Sequence, residues 1–249
     1  MKVSELAKKI DHTLLMPNAT IEDLRKEVAV ALKYNTASIC VKPYWVKITK
    51  ELLNGSDVKT CCVIGFPHGN SSINVKAFEA QEACVDGAEE VDMVVNIGKV
   101  LEGDWDYVRK ELKSVVDITK KHNAMLKVIF ETDYLPSDEH KIKLCNICSE
   151  LEIEYVKTST GFGYKKNKEG QMYYDGATEH DITLMKNNVS GITKIKASGA
   201  IRNLDRMLQM IALGADRIGA TATVAMLEEA KQRFEGTKPT VLTTATDGY

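Results

Sequence analysis

The sequence predicts an α/β protein built as a single-domain (β/α)8 TIM barrel. Eight short apolar runs rich in Val and Ile alternate with amphipathic segments of helical period, which is typical of a buried parallel sheet covered by helices. Eight strands close such a barrel, and a length of 249 residues suits one barrel domain. A doubly wound open sheet is the alternative, but the chain has neither a Gly-x-Gly-x-x-Gly turn nor a P-loop.

The eight predicted strands are three to six residues long. Runs of this length bounded by turn residues are expected of buried parallel strands. In chain order they are Ile10–Thr13, Ala37–Val41, Lys59–Ile64, Glu90–Val95, Leu126–Glu131, Glu154–Thr158, Thr193–Ala197 and Arg217–Gly219.

The predicted helices are marked by residues that favour helix ends. Thr20 with Asp23 three residues later resembles a capping box that opens a helix continuing to Tyr34. Pro43 suits the first turn of the following helix. The starts of the later helices are predicted from the capping residues Asp104, Ser137, Thr178, Asn203 and Thr221.

No linker divides the chain, so residues 1–235 are assigned to one barrel domain and residues 236–249 to a C-terminal tail, ordered or mobile. One internal stretch, residues 164–175, is compositionally unusual because it is polar and basic and lies between a strand and a helix. A solvated insertion and a rebuilt substrate subsite are equally good interpretations of this stretch.

The composition excludes several classes of function. Lys and Arg number 33 against 35 Asp and Glu, and the net charge of −2 gives no support for binding nucleic acid or an anionic membrane. No apolar run approaches the roughly 20 residues of a membrane span, and the N-terminus lacks a signal-peptide hydrophobic block, so a cytoplasmic location is expected. The five His residues are scattered without metal-ligand spacing, so no metal site is predicted.

Three charged residues are predicted to point into the barrel. Alternation along the strands turns Lys157, Lys196 and Asp92 away from their helix-facing neighbours. Burying such groups is costly, and a second ammonium can bring one amine from a pKa of about 10.4 to roughly 7–8, where it can form a Schiff base with a carbonyl. The alternative is that the residues only neutralise the barrel floor. Lys127 is a fourth candidate, predicted to lie low in the barrel.

Glycine-bearing turns follow the lysine strands and the last strand. Late βα loops of barrels often bind phosphate through backbone N–H groups and a helix N-terminus, and an arginine can add a charged contact. The alternative is that these glycines only make tight turns. The predicted phosphate-binding residues are Gly161, Gly199, Ala200, Arg202, Gly219 and Thr221.

Five segments together resemble the deoxyribose-phosphate aldolase family, in order and over nearly the whole chain. This resemblance implies a (β/α)8 class I aldolase, without metal or organic cofactor, that reversibly cleaves 2-deoxy-D-ribose 5-phosphate to acetaldehyde and D-glyceraldehyde 3-phosphate. It also implies a homodimer, with small sugar phosphates and aldehydes as the only other partners. The segments are Ile10–Leu15, Val63–Pro67, Glu90–Asn96, Val156–Phe162 and Ile195–Gly199.

By matching position, the resemblance implies the roles of individual residues. Lys157 would be the Schiff-base lysine, Lys196 would lower its pKa, and Asp92 would move protons together with Lys196 and water. Longer members of the family end in a tyrosine that assists proton transfer, and Tyr249 is the last residue here. The residues implied to line the substrate pocket are Asp11, Thr13 and Cys40.

The chain departs from the family pattern at the phosphate site. Ala200 stands where the family usually has a second Gly, and Thr221 and Ala222 stand where it has Ser. Together with the long stretch over residues 164–175, these departures leave two other functions open. One is the same Schiff-base chemistry on a different, unphosphorylated substrate, and the other is a non-catalytic barrel that binds sugar phosphates.

Overall fold

A computed structural model describes residues 2–236 and shows a closed barrel of eight parallel strands. Six strands follow one another around the wall, and the first strand closes the barrel against the last, with Asp11 opposite Gly219. A separate two-stranded antiparallel hairpin lies between the sixth and seventh barrel strands along the chain. The strands are β1 (Ile10–Leu14), β2 (Ser38–Val41), β3 (Lys59–Ile64), β4 (Glu90–Val94), β5 (Met125–Ile129), β6 (Tyr155–Lys157), the hairpin strands β7 (Lys165–Lys166) and β8 (Met172–Tyr173), β9 (Lys194–Ser198) and β10 (Arg217–Ala220).

Helices connect successive strands and cover the outside of the barrel. Two short 3-10 helices, Pro43–Trp45 and Thr132–Tyr134, supplement them, and the first leads directly into a longer helix as Pro43 predicts. The α-helices are α1 (Val3–Ala7), α2 (Ile21–Tyr34), α3 (Val46–Leu52), α4 (Ile73–Val85), α5 (Ile97–Leu101), α6 (Trp105–Lys121), α7 (Asp138–Glu150), α8 (Glu179–Asn188), α9 (Leu204–Leu213) and α10 (Thr223–Glu235).

The capping residues confirm most of the predicted helix starts. The Thr20 hydroxyl accepts from the Asp23 N–H, and the Asp23 carboxylate accepts from the Thr20 N–H at 2.8 Å, so the capping box is complete. The side chains that cap the later helices as predicted are those of Asp104, Ser137, Thr178 and Asn203.

The predicted start of the last helix is wrong. α10 begins at Thr223, with Ala222 rather than Thr221 at the N-cap. The reason is a tertiary contact, because the Thr223 Oγ1 lies 2.8 Å from His12 Nδ1 while His12 Nε2 lies 2.6 Å from a Glu27 carboxylate oxygen. A buried histidine on β1 therefore fixes the first turn of α10, which no local capping signal could show.

The apolar core lies between the strands and the helices. Val91 and Met93 of β4 are fully buried and belong to this layer, while Asp92 between them turns to the inside of the barrel. The inside is consequently polar at its centre, where charged side chains replace the usual branched apolar residues. No described helix is long and apolar enough to cross a bilayer.

Residues 164–175 form a hairpin that is attached to the barrel. The two carboxylate oxygens of Asp133 accept hydrogen bonds from the backbone N–H groups of Asp175 (2.7 Å) and Gly176 (3.0 Å). Lys165 lies 3.2 Å from Asp133, and the Tyr134 hydroxyl donates to the Tyr164 carbonyl at 2.9 Å. The segment is thus held against the loop that follows β5, while residues 168–173 are exposed.

Replacing Asp133 with alanine is expected to release this hairpin. Trypsin should then cleave within residues 164–175, where three lysines occur, about tenfold faster, because the variant loses two backbone hydrogen bonds and an ion pair. Mass spectrometry of timed digests measures the rate. Asp86→Ala, an exposed aspartate on α4's C-terminal side, is the control. Equal cleavage rates in the two variants would show that Asp133 does not hold the hairpin.

Candidate active site

Lys157, Lys196 and Asp92 converge inside the barrel. Lys157 on β6 and Lys196 on β9 are paired residues of neighbouring strands, and Asp92 reaches them from β4. Each lysine Nζ lies 2.7 Å from the same oxygen, Asp92 Oδ2. All three side chains are buried, so the inward orientation predicted from strand alternation is what the structure shows.

Lys127 belongs to the same cluster. Its Nζ lies 2.8 Å from Asp92 Oδ1 and 2.6 Å from a Glu90 oxygen, so one carboxylate, that of Asp92, is shared by three ammonium groups. Asp11 lies 2.5 Å from Lys196, and Arg217 lies 2.5 Å from Asp11. Asp11 is therefore a fully buried member of the ion network rather than an exposed lining residue.

The network contains one more cation than carboxylate. Its cations are those of Lys127, Lys157, Lys196 and Arg217, four in all, against the three carboxylates of Asp11, Glu90 and Asp92. A buried excess of one positive charge is unfavourable, and an ammonium group disfavours charge on a second amine beside it.

The neighbours of each group decide which members stay charged. Burial opposes charge on Lys196, but the carboxylates of Asp11 and Asp92 outweigh it and raise the pKa of Lys196 above its usual range. Burial likewise opposes charge on Asp92, yet the lysines around it hold the pKa of Asp92 well below its usual range. Among the residues that the structure describes, Lys157 makes its ion pair with Asp92 alone, and it lies at the end of β6 towards the mouth, which makes it the member placed to meet a substrate.

Glu131 is a buried group near the site that strand patterns did not single out. Its carboxylate accepts hydrogen bonds from the Thr160 N–H (3.2 Å) and the Thr160 hydroxyl, and burial raises its pKa to about 7. β5 ends at Ile129 rather than at Glu131 because Glu131 adopts a left-handed φ of 56°. Glu131 lies four residues after the inward Lys127, so the strand alternation carried two residues past the end of β5 is the signal that could have identified it.

Glu131 also explains one glycine of the loop after β6. A Cβ atom at Gly163 would lie 2.8 Å from the Glu131 carboxyl carbon, which is closer than real Cβ contacts. Glu131 therefore fixes the path of the loop that follows Lys157.

An apolar wall faces these charged groups. Its buried members are Leu15, Cys40, Cys61 and Val63, with Phe66 and Phe162 packed against them and the two rings 5.4 Å apart, edge to face. Cys40 forms part of this wall as expected, and the half-buried Thr13 follows Asp11 on β1 at the same end of the barrel. A site with one charged and one apolar side suits a small molecule of mixed polarity.

The predicted phosphate-binding residues lie at the ends of three neighbouring strands, β6, β9 and β10. Gly161, Gly199 and Ala200 have φ values of 86°, 87° and 59°, so Ala200 adopts the left-handed conformation in spite of its side chain. The Arg202 guanidinium lies 3.3 Å from the Tyr174 hydroxyl beside the hairpin, and Thr221 is exposed.

Gly219 has a different structural reason for being glycine. A Cβ atom there would lie 2.9 Å from Ser198 Cβ and 3.1 Å from Lys196 Cε. The missing side chain at Gly219 therefore leaves room for Lys196 to cross the barrel.

Cys40, Cys61 and Asp92 are the one group within residues 2–236 whose donor atoms come close enough to hold a metal, within 4.8 Å of one another. The residues do not suit a cation, because Asp92 already pairs with three ammonium groups. Burial also raises the pKa of the Cys61 thiol well above its usual value, which disfavours the thiolate that a metal needs.

The predicted proton relay by Tyr249 and the tail over residues 236–249 lie almost wholly outside the described residues, which end at Gly236. α10 ends at Glu235, one residue before that limit.

Known proteins are similar in sequence to this chain over most of its length. The model of the DeoC/LacD family of aldolases matches residues 6–232. Over 230 residues the chain is 49% identical to the deoxyribose-phosphate aldolase of Caldicellulosiruptor saccharolyticus, covering 92% of this chain and 100% of that protein. It is 42% identical over 245 residues to the deoxyribose-phosphate aldolase of Rhodopirellula baltica, covering 98% and 97% of the two chains.

A solved structure shows the same fold. The deoxyribose-phosphate aldolase of Aeropyrum pernix, described as a tetramer, matches with a TM-score of 0.82 at 31% identity over 93% of both chains. The sequence identity, the matched length and the closed barrel agree, and the chain is an aldolase, hence a lyase, of the DeoC/LacD family.

Proposed function

We propose that the protein is a class I aldolase that reversibly cleaves 2-deoxy-D-ribose 5-phosphate to acetaldehyde and D-glyceraldehyde 3-phosphate through a Schiff base on Lys157. The observation that carries this proposal is the contact of Lys157 and Lys196 with one oxygen of Asp92. The relatives that bear this activity in their names support the choice of substrate.

Lys157 is the nucleophile in this proposal because it has the fewest carboxylate partners of the three lysines within the described residues and lies towards the mouth of the barrel. Lys127 and Lys196 each contact at least two carboxylates, whereas Lys157 contacts one. A lysine amine in its neutral form can attack an aldehyde, and Lys157 is the lysine placed towards the mouth of the barrel to do so.

The reaction then proceeds by covalent and proton-transfer steps. The Lys157 amine adds to the C1 aldehyde of the open-chain sugar, and loss of water gives an iminium ion. Removal of the C3 hydroxyl proton breaks the C2–C3 bond, whose electrons enter the iminium to form an enamine and release D-glyceraldehyde 3-phosphate. Protonation at C2 and hydrolysis free acetaldehyde and Lys157, with Asp92, Lys196 and water moving the protons. No step requires a metal or an organic cofactor.

The phosphate is bound in this proposal by the turns after β6, β9 and β10, through Gly161, Gly199, Ala200, Gly219 and Thr221, with Arg202 nearby. Backbone N–H groups at these turns and the start of α10 supply the favourable electrostatics. Asp11, Thr13 and Cys40 complete the proposed pocket, Asp11 through its ion pair with Lys196.

Comparison of two substrates tests this function. We expect kcat/KM for 2-deoxyribose 5-phosphate to exceed that for 2-deoxyribose by about 100-fold or more, since the charged phosphate is bound by several donors. Coupled assay of the released aldehydes measures both. Equal values would favour an unphosphorylated substrate, the alternative suggested by Ala200, Ala222 and the hairpin. A protein that binds sugar phosphate but cleaves neither compound would be the non-catalytic alternative.

We also propose a homodimer in the cytoplasm, acting in deoxyribonucleotide breakdown. The Aeropyrum pernix relative, which is described as a tetramer, supports self-association. Six free cysteines support a reducing compartment. Light scattering coupled to size-exclusion chromatography gives the mass that distinguishes a dimer from a tetramer.

A further inference from the structure

Ser159 carries a buried hydroxyl without a partner. The residue is fully buried, and its Oγ makes no hydrogen bond to any residue between positions 2 and 236. Burying a hydroxyl in this way costs free energy, so such a group calls for an explanation.

The hydroxyls of the two neighbouring threonines differ from that of Ser159, because both of them make hydrogen bonds. The Thr158 hydroxyl donates to the Ser198 carbonyl at 2.9 Å, and the Thr160 hydroxyl donates a hydrogen bond to the Glu131 carboxylate. The two threonine hydroxyls therefore bond to neighbouring segments, whereas the Ser159 hydroxyl between them has no partner among the described residues.

The position of Ser159 points to the substrate. It follows the Schiff-base candidate Lys157, the last residue of β6, by two residues, in the turn that leaves the strand at the mouth of the barrel. Its Cβ lies 3.3 Å from the position a Gly199 Cβ would occupy, and its carbonyl accepts from the Ser198 hydroxyl at 2.6 Å. Ser159 is therefore placed between the turns after β6 and β9, above the lysine that would hold C1.

We propose that the Ser159 hydroxyl binds an oxygen of the acceptor half of the substrate, the half released as D-glyceraldehyde 3-phosphate. This rests on the proposed aldolase function. A chain attached by C1 to Lys157 must extend towards the mouth, and its hydroxyl and phosphate oxygens come at the height of Ser159. The acetaldehyde half, which stays at the lysine, does not reach that height.

The proposal predicts that substitution of Ser159 has opposite effects on the stability of the free enzyme and on substrate binding. Replacing Ser159 with alanine removes a group that is unsatisfied before binding and satisfied after it. The variant should therefore be more stable than the wild type while binding substrate less well. A residue with a purely structural role would lose stability and activity together.

The test compares Ser159→Ala with Thr60→Val. Thr60 also has a buried hydroxyl without a partner within the described chain, but it neighbours the inward Cys61 on β3 and so faces the helices. Three quantities are measured: the melting temperature of the free enzyme, KM for 2-deoxyribose 5-phosphate, and the exchange of acetaldehyde C2 protons with deuterium in D2O, which needs only the lysine and its proton relay.

Both variants should melt about 2–4 °C higher than the wild type. Ser159→Ala alone should raise KM about 3- to 10-fold, and acetaldehyde exchange should be unchanged in both. An unchanged KM in Ser159→Ala, or a lower melting temperature together with slower exchange, would overturn the assignment of Ser159. If the wild type itself does not exchange acetaldehyde protons, the proposed Schiff-base function fails instead, so the two failures are distinguishable.

Discussion

Replacing Lys157 with methionine is expected to lower kcat for cleavage of 2-deoxyribose 5-phosphate by about 10⁴-fold or more. Methionine has a similar length but no amine, so no Schiff base can form, and the covalent step is lost entirely. In the wild type, borohydride in the presence of acetaldehyde should reduce the Schiff base to a stable N-ethyl lysine. Peptide mapping by mass spectrometry should find that adduct on Lys157 and should not find it in the variant.

Lys194→Met is the matched control for this experiment. Lys194 begins the strand that carries Lys196, but it is exposed and lies at the opposite end of the barrel. Its loss should leave both turnover and adduct formation unchanged. An adduct on Lys196 or Lys127 in the wild type, with Lys157 unmodified, would show that the nucleophile is assigned to the wrong lysine.

Replacing Lys196 with leucine is expected to lower turnover at pH 7 by about 10²- to 10³-fold and to move the acid limb of the pH–rate profile upwards. The substitution removes one of the ammonium groups that share the Asp92 carboxylate, and a neighbouring ammonium is what favours the neutral form of a second amine. Activity should recover in part as the pH rises towards about 10, where a free lysine amine loses its proton. Initial rates between pH 6 and 10 measure the shift.

The pH–rate profile distinguishes an electrostatic role of Lys196 from a loss of folded structure in the variant. Loss of structure would lower the rate at every pH without moving the acid limb, whereas loss of the charge should move it. Far-UV circular dichroism identifies a variant that has not folded. A folded Lys196→Leu enzyme whose profile has the wild-type shape and position would remove Lys196 from its assigned role.

Local sequence patterns were sufficient to predict the barrel fold. Eight short apolar runs between amphipathic segments indicated eight strands, and the structure places all eight in one closed sheet. Alternation of side chains along the strands turned Lys157, Lys196 and Asp92 inward, because successive side chains of a strand must face opposite sides. Capping side chains located four later helix starts, since a cap bonds to backbone only a few residues away.

Local sequence patterns did not predict the contacts between segments that lie far apart along the chain. Lys127 lies two residues below Lys157 in the register of β5 and β6, in keeping with its expected low position, but its contact with the Asp92 carboxylate shared by the two other lysines was not predicted. Whether residues on β4 and β5 come to the same height depends on the stagger of neighbouring strands, which no single strand encodes. The folding of residues 164–175 into a hairpin held by Asp133 is a contact of the same kind.

By itself the sequence determined the barrel, the inward lysines and the family resemblance, because these follow from short-range periodicity and from motifs. Only the tertiary structure decided which carboxylates pair with which amines. It showed the excess of one buried positive charge, the left-handed Glu131 that holds the loop after Lys157, and the unused hydroxyl of Ser159. The physical reason is that charge balance and hydrogen-bond satisfaction are properties of a closed interior, and they exist only once eight separate strands have come together.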